Sequence, residues 1–164
     1  MSLGNHIVVL NNGRVEQFGT KEDLFRRPKN TFVAQIIGDP PMNLMKGKIV
    51  KVGGKSIFQS GGVKLDLKEA VKQGSVTLGI RSSRIHLASA SGNGTIDAEV
   101  YSCGKHRMNT VVSMKIGKDI FKTEFRGHRS FEIGQRIAIQ FDLSDICIFD
   151  GNEELIQVLG ERHA

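Results

Sequence analysis

Three short runs, Lys48 to Val52, Ser56 to Gln59 and Val63 to Leu67, are separated only by Gly53-Gly54 and Gly61-Gly62. Paired glycines supply the positive φ that two-residue hairpin turns require, so the stretch beginning at Gly47 reads as consecutive antiparallel strands. The punctuation continues along the chain: nineteen glycines against three prolines predict many tight turns and therefore many short strands.

The stretch Val76 to Leu87 organises the rest of the chain. Two β-rich runs flank a polar Arg81-Ser82-Ser83-Arg84 corner, and Gly79 stands where a strand wants a side chain, which predicts a bent strand in a small barrel. Lys68 to Gln73 reads as one helical turn before Gly74. Further strands are expected at Thr95 to Cys103, after Gly92-Asn93-Gly94, at Val112 to Ile116, and at Ile120 to Arg126 beyond a Gly117-Lys118-Asp119 turn. Arg136 to Leu143 alternates most cleanly, with Ile137, Ile139, Phe141 and Leu143 on one face, and Ile146 to Phe149 closes the set. Six to nine such strands imply a closed or nearly closed antiparallel barrel rather than a βαβ sheet.

The front of the chain differs. Ile7 to Leu10, an Asn11-Asn12-Gly13 turn and Arg14 to Phe18 predict a hairpin. Thr20 caps a short helix that Pro28 stops; Thr31 caps a second, with Phe32, Val33, Ile36 and Ile37 on one face and Gly38 to end it. Asp39-Pro40-Pro41 cannot continue a helix. The expected division is residues 1–37 as one portion and 38–164 as the barrel. Met1-Ser2-Leu3 reads as a leader, and a chain opening in mid-strand is expected to be part of a longer protein.

No constellation points to catalysis. His6, His86, His106, His128 and His163 have no nearby serine or cysteine in nucleophile context. Cys103 and Cys147 have neither redox nor zinc-ligand spacing. Gly53-Gly54-Lys55-Ser56 ends like a phosphate loop, but Ile49 occupies the required upstream glycine and a strand comes next where a helix is needed, so it is a hairpin turn. Gln59-Ser60-Gly61-Gly62-Val63 echoes a transporter ATPase signature for the same compositional reason. The net charge of +6 is scattered, with its densest groups at Lys105-His106-Arg107 and Arg126-Gly127-His128-Arg129, and reads as a solvated basic surface. Phe121, Thr123 and Phe125 share a face opposite Lys122, Glu124 and Arg126, which directs the aromatics to the core and disfavours nucleic-acid stacking. No apolar run reaches the length of a membrane span.

Two regions carry a family resemblance. Ile7 to Thr20, Asp23 to Pro28 and Phe32-Val33-Ala34 resemble the end of the ATP-binding domain in bacterial ABC importer ATPases of the maltose and glycerol-phosphate type. Gly38-Asp39-Pro40-Pro41-Met42-Asn43 resembles that family's joint, Leu78-Gly79-Ile80-Arg81 the start of its Gly-Ile-Arg-Pro-Glu motif, and Phe141-Asp142 with Ile148-Phe149-Asp150 extend the likeness. Ser82-Ser83 depart from the usual Pro-Glu, and Ser102 to His106 from a Leu-Gly-x-Glu sequence.

The resemblance implies a mainly β, OB-fold-type antiparallel barrel of the TOBE or MOP-like kind, preceded by a hairpin and two short helices. It implies a non-catalytic regulatory and dimerisation domain of the ATPase subunit of a sugar or sugar-phosphate importer. Phosphate loop, signature motif, magnesium-binding carboxylate and switch histidine would all lie before residue 7, so this chain is expected to hold no cofactor, ATP and magnesium belonging to the longer parent. The implied partners are a second copy, the ATP-binding domain, membrane permease subunits and a small-molecule or protein regulator, at the cytoplasmic face of the inner membrane. Pro40, Pro41, Asn43, Gly79, Arg81, Ser82 and Ser83 are the implied regulatory or interface positions. Alternatives are a molybdate-type oxyanion module using Ser82, Ser83 and Arg84 as donors, and, behind it, an OB-fold nucleic-acid binder.

Overall fold

The structure, a computed structural model, describes residues 5–89, 92, 94–106 and 108–160; the Met1-Ser2-Leu3 leader, Asn93, Arg107 and His163 lie outside them. A hairpin of β1 (His6–Asn11) and β2 (Arg14–Thr20) leads into α1 (Lys21–Arg26) and α2 (Thr31–Ile36). Two antiparallel sheets come after the helices. The six-stranded sheet joins β3 (Asn43–Val52), β4 (Lys55–Ser60), β5 (Val63–Asp66), β6 (Gly74–Ile80), β12 (Cys147–Phe149) and β13 (Leu155–Val158) in the order β13-β12-β6-β3-β4-β5. The five-stranded sheet joins β7 (Ile85–Leu87), β8 (Ile96–His106), β9 (Asn109–Ile116), β10 (Asp119–Arg126) and β11 (Arg136–Phe141) in the order β10-β9-β8-β11-β7. The paired glycines do as expected: Gly53 and Gly54, then Gly61 and Gly62, all take positive φ between paired strands.

One continuous apolar core fills the space between the sheets. Met45, Ile49, Phe58, Leu78 and Ile80 meet Val100, Val112, Met114, Phe121, Ile139 and Phe141 there. Phe121, Thr123 and Phe125 point inward as their alternation requires, and the rings of Phe121 and Phe141 stack at 5.9 Å. The sheets close on one another through a side chain rather than a ladder. Asn43 Nδ2 donates to Lys122 O (2.8 Å) and Ile80 O (3.3 Å), while Lys122 N–H donates to Asn43 Oδ1 (2.7 Å). The buried amide thus stands in for a peptide group at the edge of β10.

β6 is buried on both faces. Val76, Leu78 and Ile80 enter the main core, whereas the opposite face meets a second cluster of Ala34, Met42, Cys147, Phe149 and Val158 under α2. This corrects the role expected of Gly79. The ladders to β3 and β12 run through Gly79 without a register shift, and a Cβ there would lie 2.5 Å from Met42 Sδ and 2.8 Å from the Phe149 ring, so glycine admits the second layer. The chain turns later, through a 3-10 turn at Ser82–Arg84 that carries it from one sheet to the other.

Four other expectations are corrected. Strand β3 starts at Asn43 rather than Gly47, because Asn43 to Ile49 pair with β6 and Gly47 is a packing glycine under the Phe58 ring. Lys68 to Gln73 form no helical turn: Lys68 has φ +58°, and Val71 N–H donates to Ser56 Oγ (3.0 Å). The cap of α2 is Asn30, whose Oδ1 accepts from Val33 N–H, while Thr31 Oγ1 donates to Glu153 Oε2. Ile146 to Phe149 does not close the set, because Leu155 to Val158 form a further strand, β13, that pairs with β12. The Thr20 cap holds, as half of a reciprocal capping box with Asp23.

At Gly47 an added Cβ would stand 2.5 Å from both Gln59 O and the Phe58 ring, whereas at Gly104, also in a strand, it would meet nothing within 4 Å. Urea unfolding should therefore show Gly47→Ala destabilised by about 1–3 kcal/mol, the usual cost of overpacking, and Gly104→Ala essentially unchanged.

Candidate regulatory joint

Arg81 leaves the end of β6 and turns under the two helices, where it is only 3% exposed. Its Nη1 donates to Ala34 O (3.0 Å) and Ile37 O (2.5 Å), its Nη2 to Phe25 O (2.7 Å), and the guanidinium lies 4.1 Å from the centre of the Phe25 ring. All three acceptors are carbonyls at helix C-termini, which have no partner within their own helices. One cation thus caps both helices, and the negative ends of two backbone dipoles take the place of a carboxylate counter-ion. Burial pulls the guanidinium down to about 10, leaving it charged at neutral pH. Its Nε is buried and has no hydrogen-bond partner among the described residues.

Gly38, with φ +126°, is required at this joint: a Cβ there would approach Arg81 Nη1 to 3.0 Å. Asp39-Pro40 is cis; Pro40 is half-buried and Pro41 exposed as the chain enters β3. The expected positions fall into two groups. Gly79 and Arg81 lie against the helical layer and Asn43 ties β3 to β10, whereas Ser82 and Ser83 form the outer turn, where Ser82 contributes its carbonyl to Thr123 Oγ1 (2.8 Å). The helical layer is further tied to the barrel by an antiparallel bridge between Asn30 and Glu154 and by Leu155 N–H donating to Lys29 O (2.8 Å).

Arg84 pairs with Asp142 (2.8 Å) and Asp145. Sequence reasoning missed both carboxylates as its partners. The signal available was local: Asp142 Oδ1 accepts from Ser144 N–H, an aspartate turn, and Asp145 takes φ +61°. That amide, with Arg84 beside it, holds the Asp142 carboxyl below its ordinary value of 3.8. Among the described residues no group of three histidine, cysteine, aspartate or glutamate side chains could hold a metal, and no helix is long and apolar enough to cross a membrane.

Loss of the Arg81 cation by Arg81→Met orphans three carbonyls and should cost about 3–5 kcal/mol in urea unfolding, the range for breaking a buried charged interaction, with the amides of residues 25–37 losing hydrogen-exchange protection first. Arg81→Lys, with one compact ammonium, should not restore it. The Asp142 carboxyl, depressed in the folded state, contributes stability that is complete above its ordinary value and lost as pH falls through the lower folded one. Asp142→Asn should thus lower stability at neutral pH by up to about 1 kcal/mol, this pair being partly exposed, and narrow its difference from the parent chain as acid is added.

Residues 38–85 match the MalK OB fold domain family. The xylose/arabinose import ATP-binding protein XacK of Haloferax volcanii is 31% identical over 161 residues, 92% of this chain and 41% of that protein. The sn-glycerol-3-phosphate import ATP-binding protein UgpC 3 of Agrobacterium fabrum is 32% identical over 163 residues, 92% of this chain and 42% of that protein. The multiple sugar-binding transport ATP-binding protein MsmK of Streptococcus mutans is 29% identical over 174 residues, 94% of this chain and 46% of that protein. The chain spans less than half the length of these relatives. Residues 38–85 thus match a MalK-type OB-fold domain, and over nine-tenths of its length the chain is similar to sugar and glycerol-phosphate import ATP-binding proteins.

Proposed function

We propose that this chain is the non-catalytic regulatory and dimerisation portion of an ABC importer ATPase subunit, residues 1–37 completing the ATP-binding domain and 38–164 forming the regulatory barrel. The observation that carries the reading is the Arg81 latch. It ties the helical segment to the strand end from which the barrel's second sheet departs, so a shift of the helices displaces Arg81 and the Ser82–Arg84 turn with it. In this reading Pro40, Pro41 and Asn43 set the joint, while Ser82 and Ser83 present its exposed corner to a neighbouring subunit.

The hairpin supports a further portion of the subunit packing at the front. Val9 is buried against Leu24 and Val33, but the registered pairs Val8 with Phe18 and Leu10 with Val15 leave four apolar side chains at least half exposed. A contiguous apolar face of this kind marks a surface that is covered in the working assembly. Permease subunits and a second copy are the remaining partners, at the cytoplasmic membrane face. The oxyanion reading is less well supported, because the Arg84 guanidinium it would use is already held by two carboxylates.

The test uses the full-length subunit reconstituted with its permease. Arg81→Met should leave nucleotide affinity unchanged and lower transport-stimulated ATP hydrolysis by about fivefold or more, the scale of an ordinary coupling free energy. Equal stimulation in a folded Arg81→Met subunit would overturn the reading. The chain alone should neither bind nor hydrolyse ATP.

A further inference from the structure

The five-stranded sheet ends in two edges, β7 and β10, that face one another without pairing. They touch at one end, where Thr123 Oγ1 reaches the carbonyls of Ser82 and Ile85. Beyond that point they part around a groove of about 880 Å³. Backbone groups in an antiparallel strand alternate between its two sides. On β7, Arg84 O and Ala88 N–H bond to β11, so the amides and carbonyls of Leu87 and Ser89 point into the groove. On β10, Gly127 N–H bonds back toward β9 and Lys122 is held from the other side by Asn43, so Glu124 and Arg126 present their backbone groups to the groove as well. Asn43 and Thr123 satisfy the seam up to residue 123; past it, the backbone groups of both edges are unpaired among the described residues.

The floor of the groove is apolar, with Phe125 and Ile137 beneath it, and its rim is cationic. Arg126 and Arg129 line it and form no ion pair among the described residues. Glu124, the acid beside them, has its carboxylate committed to Asn109 Nδ2 (2.9 Å) and lies 3.9 Å from His106 Nδ1. The rim is also fixed in place: buried Thr110 donates to Gly127 O (2.9 Å) and accepts from Arg129 N–H (2.8 Å). Unpaired strand edges template a further strand, and a ready-made donor and acceptor row above apolar pockets is how extended peptides are captured.

We propose that the open seam between β7 and β10 is a strand-acceptor site for a short, extended acidic segment of a protein partner. Its backbone would add to the free edge of β7, alternate apolar side chains would meet Phe125 and Ile137, and the intervening carboxylates would meet Arg126 and Arg129. The charge complementarity selects an acidic segment over a basic one. This goes beyond the regulatory reading by naming the chemistry of a partner. It is also tested separately, since peptide binding is read on the chain without ATP, and the Arg81→Met coupling is read without a peptide.

The probe is a fluorescein-labelled peptide of alternating valine and glutamate, about six residues long, the length of an ordinary strand, titrated with the 164-residue chain. Saturable anisotropy is expected. Backbone N-methylation of the valines should weaken binding by about tenfold, since each methyl removes a main-chain donor. The R126E/R129E double variant should reverse the preference toward a valine–lysine peptide. Leu87→Pro should abolish binding, because that amide faces the groove rather than the β11 ladder; R126E/R129E, a surface change, keeps the test decisive should Leu87→Pro fail to fold. Absence of saturable binding, indifference to N-methylation, or unchanged binding by R126E/R129E would overturn the proposal. So would full displacement of the peptide by inorganic phosphate alone, which would make the groove an anion site. Light scattering in which R126E/R129E converts a self-associated chain to a monomer would make the occupant a second copy and overturn it as well.

Discussion

A guanidinium withdrawn from water without a carboxylate beside it is tolerable only where many oriented dipoles replace the lost solvent. Arg81 finds them in the carbonyls of Phe25, Ala34 and Ile37. Two helices of six residues each would not persist alone in water, since nucleation costs more than so few hydrogen bonds return. Their ends are completed by a residue of the barrel. Barrel and helical layer are therefore not separately finished bodies at this point, and the left-handed Gly38, the buried Ala34 and the packing around Phe25 are consequences of fitting that cation.

The same economy governs the sheets. β6 must satisfy a core on one side and a helical layer on the other, which is why Val76 to Ile80 are all buried and why Gly79 falls where Met42 and Phe149 crowd it. The edges between sheets are closed where side chains can imitate a peptide group. Asn43 does so for Lys122, and Thr123 does so for the Ser82 turn. Where no such side chain is placed, between Leu87 and Arg126, the barrel wall stays open over an apolar floor.

Local chemistry made much of the architecture legible. The glycine pairs, the inward set Phe121, Thr123 and Phe125, and the Thr20 cap each depend on residues within a few positions of one another, and each stands as read, as does the Arg136 to Leu143 alternation as far as Phe141, where the strand ends. The misreadings share the opposite cause. Thr31 resembles a cap in isolation, but a turn more than a hundred residues later offers it Glu153, and Asn30 takes the cap. Lys68 to Gln73 has helical composition, yet Ser56 on a distant strand claims the Val71 amide. Ile146 to Phe149 reads as closing the set because only pairing with β12 makes Leu155 to Val158 a strand as well.

The site divides along the same line. Residue types and their likeness to a family marked Pro40, Pro41, Asn43, Gly79, Arg81, Ser82 and Ser83 as positions of interest, and the strand periodicity set a mainly β chain with two short helices before it. What each position touches was decided by tertiary structure alone. The carbonyls that receive Arg81 lie 44, 47 and 56 residues away along the chain, the strand edge that Asn43 satisfies lies 79 away, and the carboxylates that neutralise Arg84 lie 58 and 61 away. A hydrogen bond is specific in distance and angle but carries no signature in sequence spacing, so its partners emerge only when burial brings those segments together.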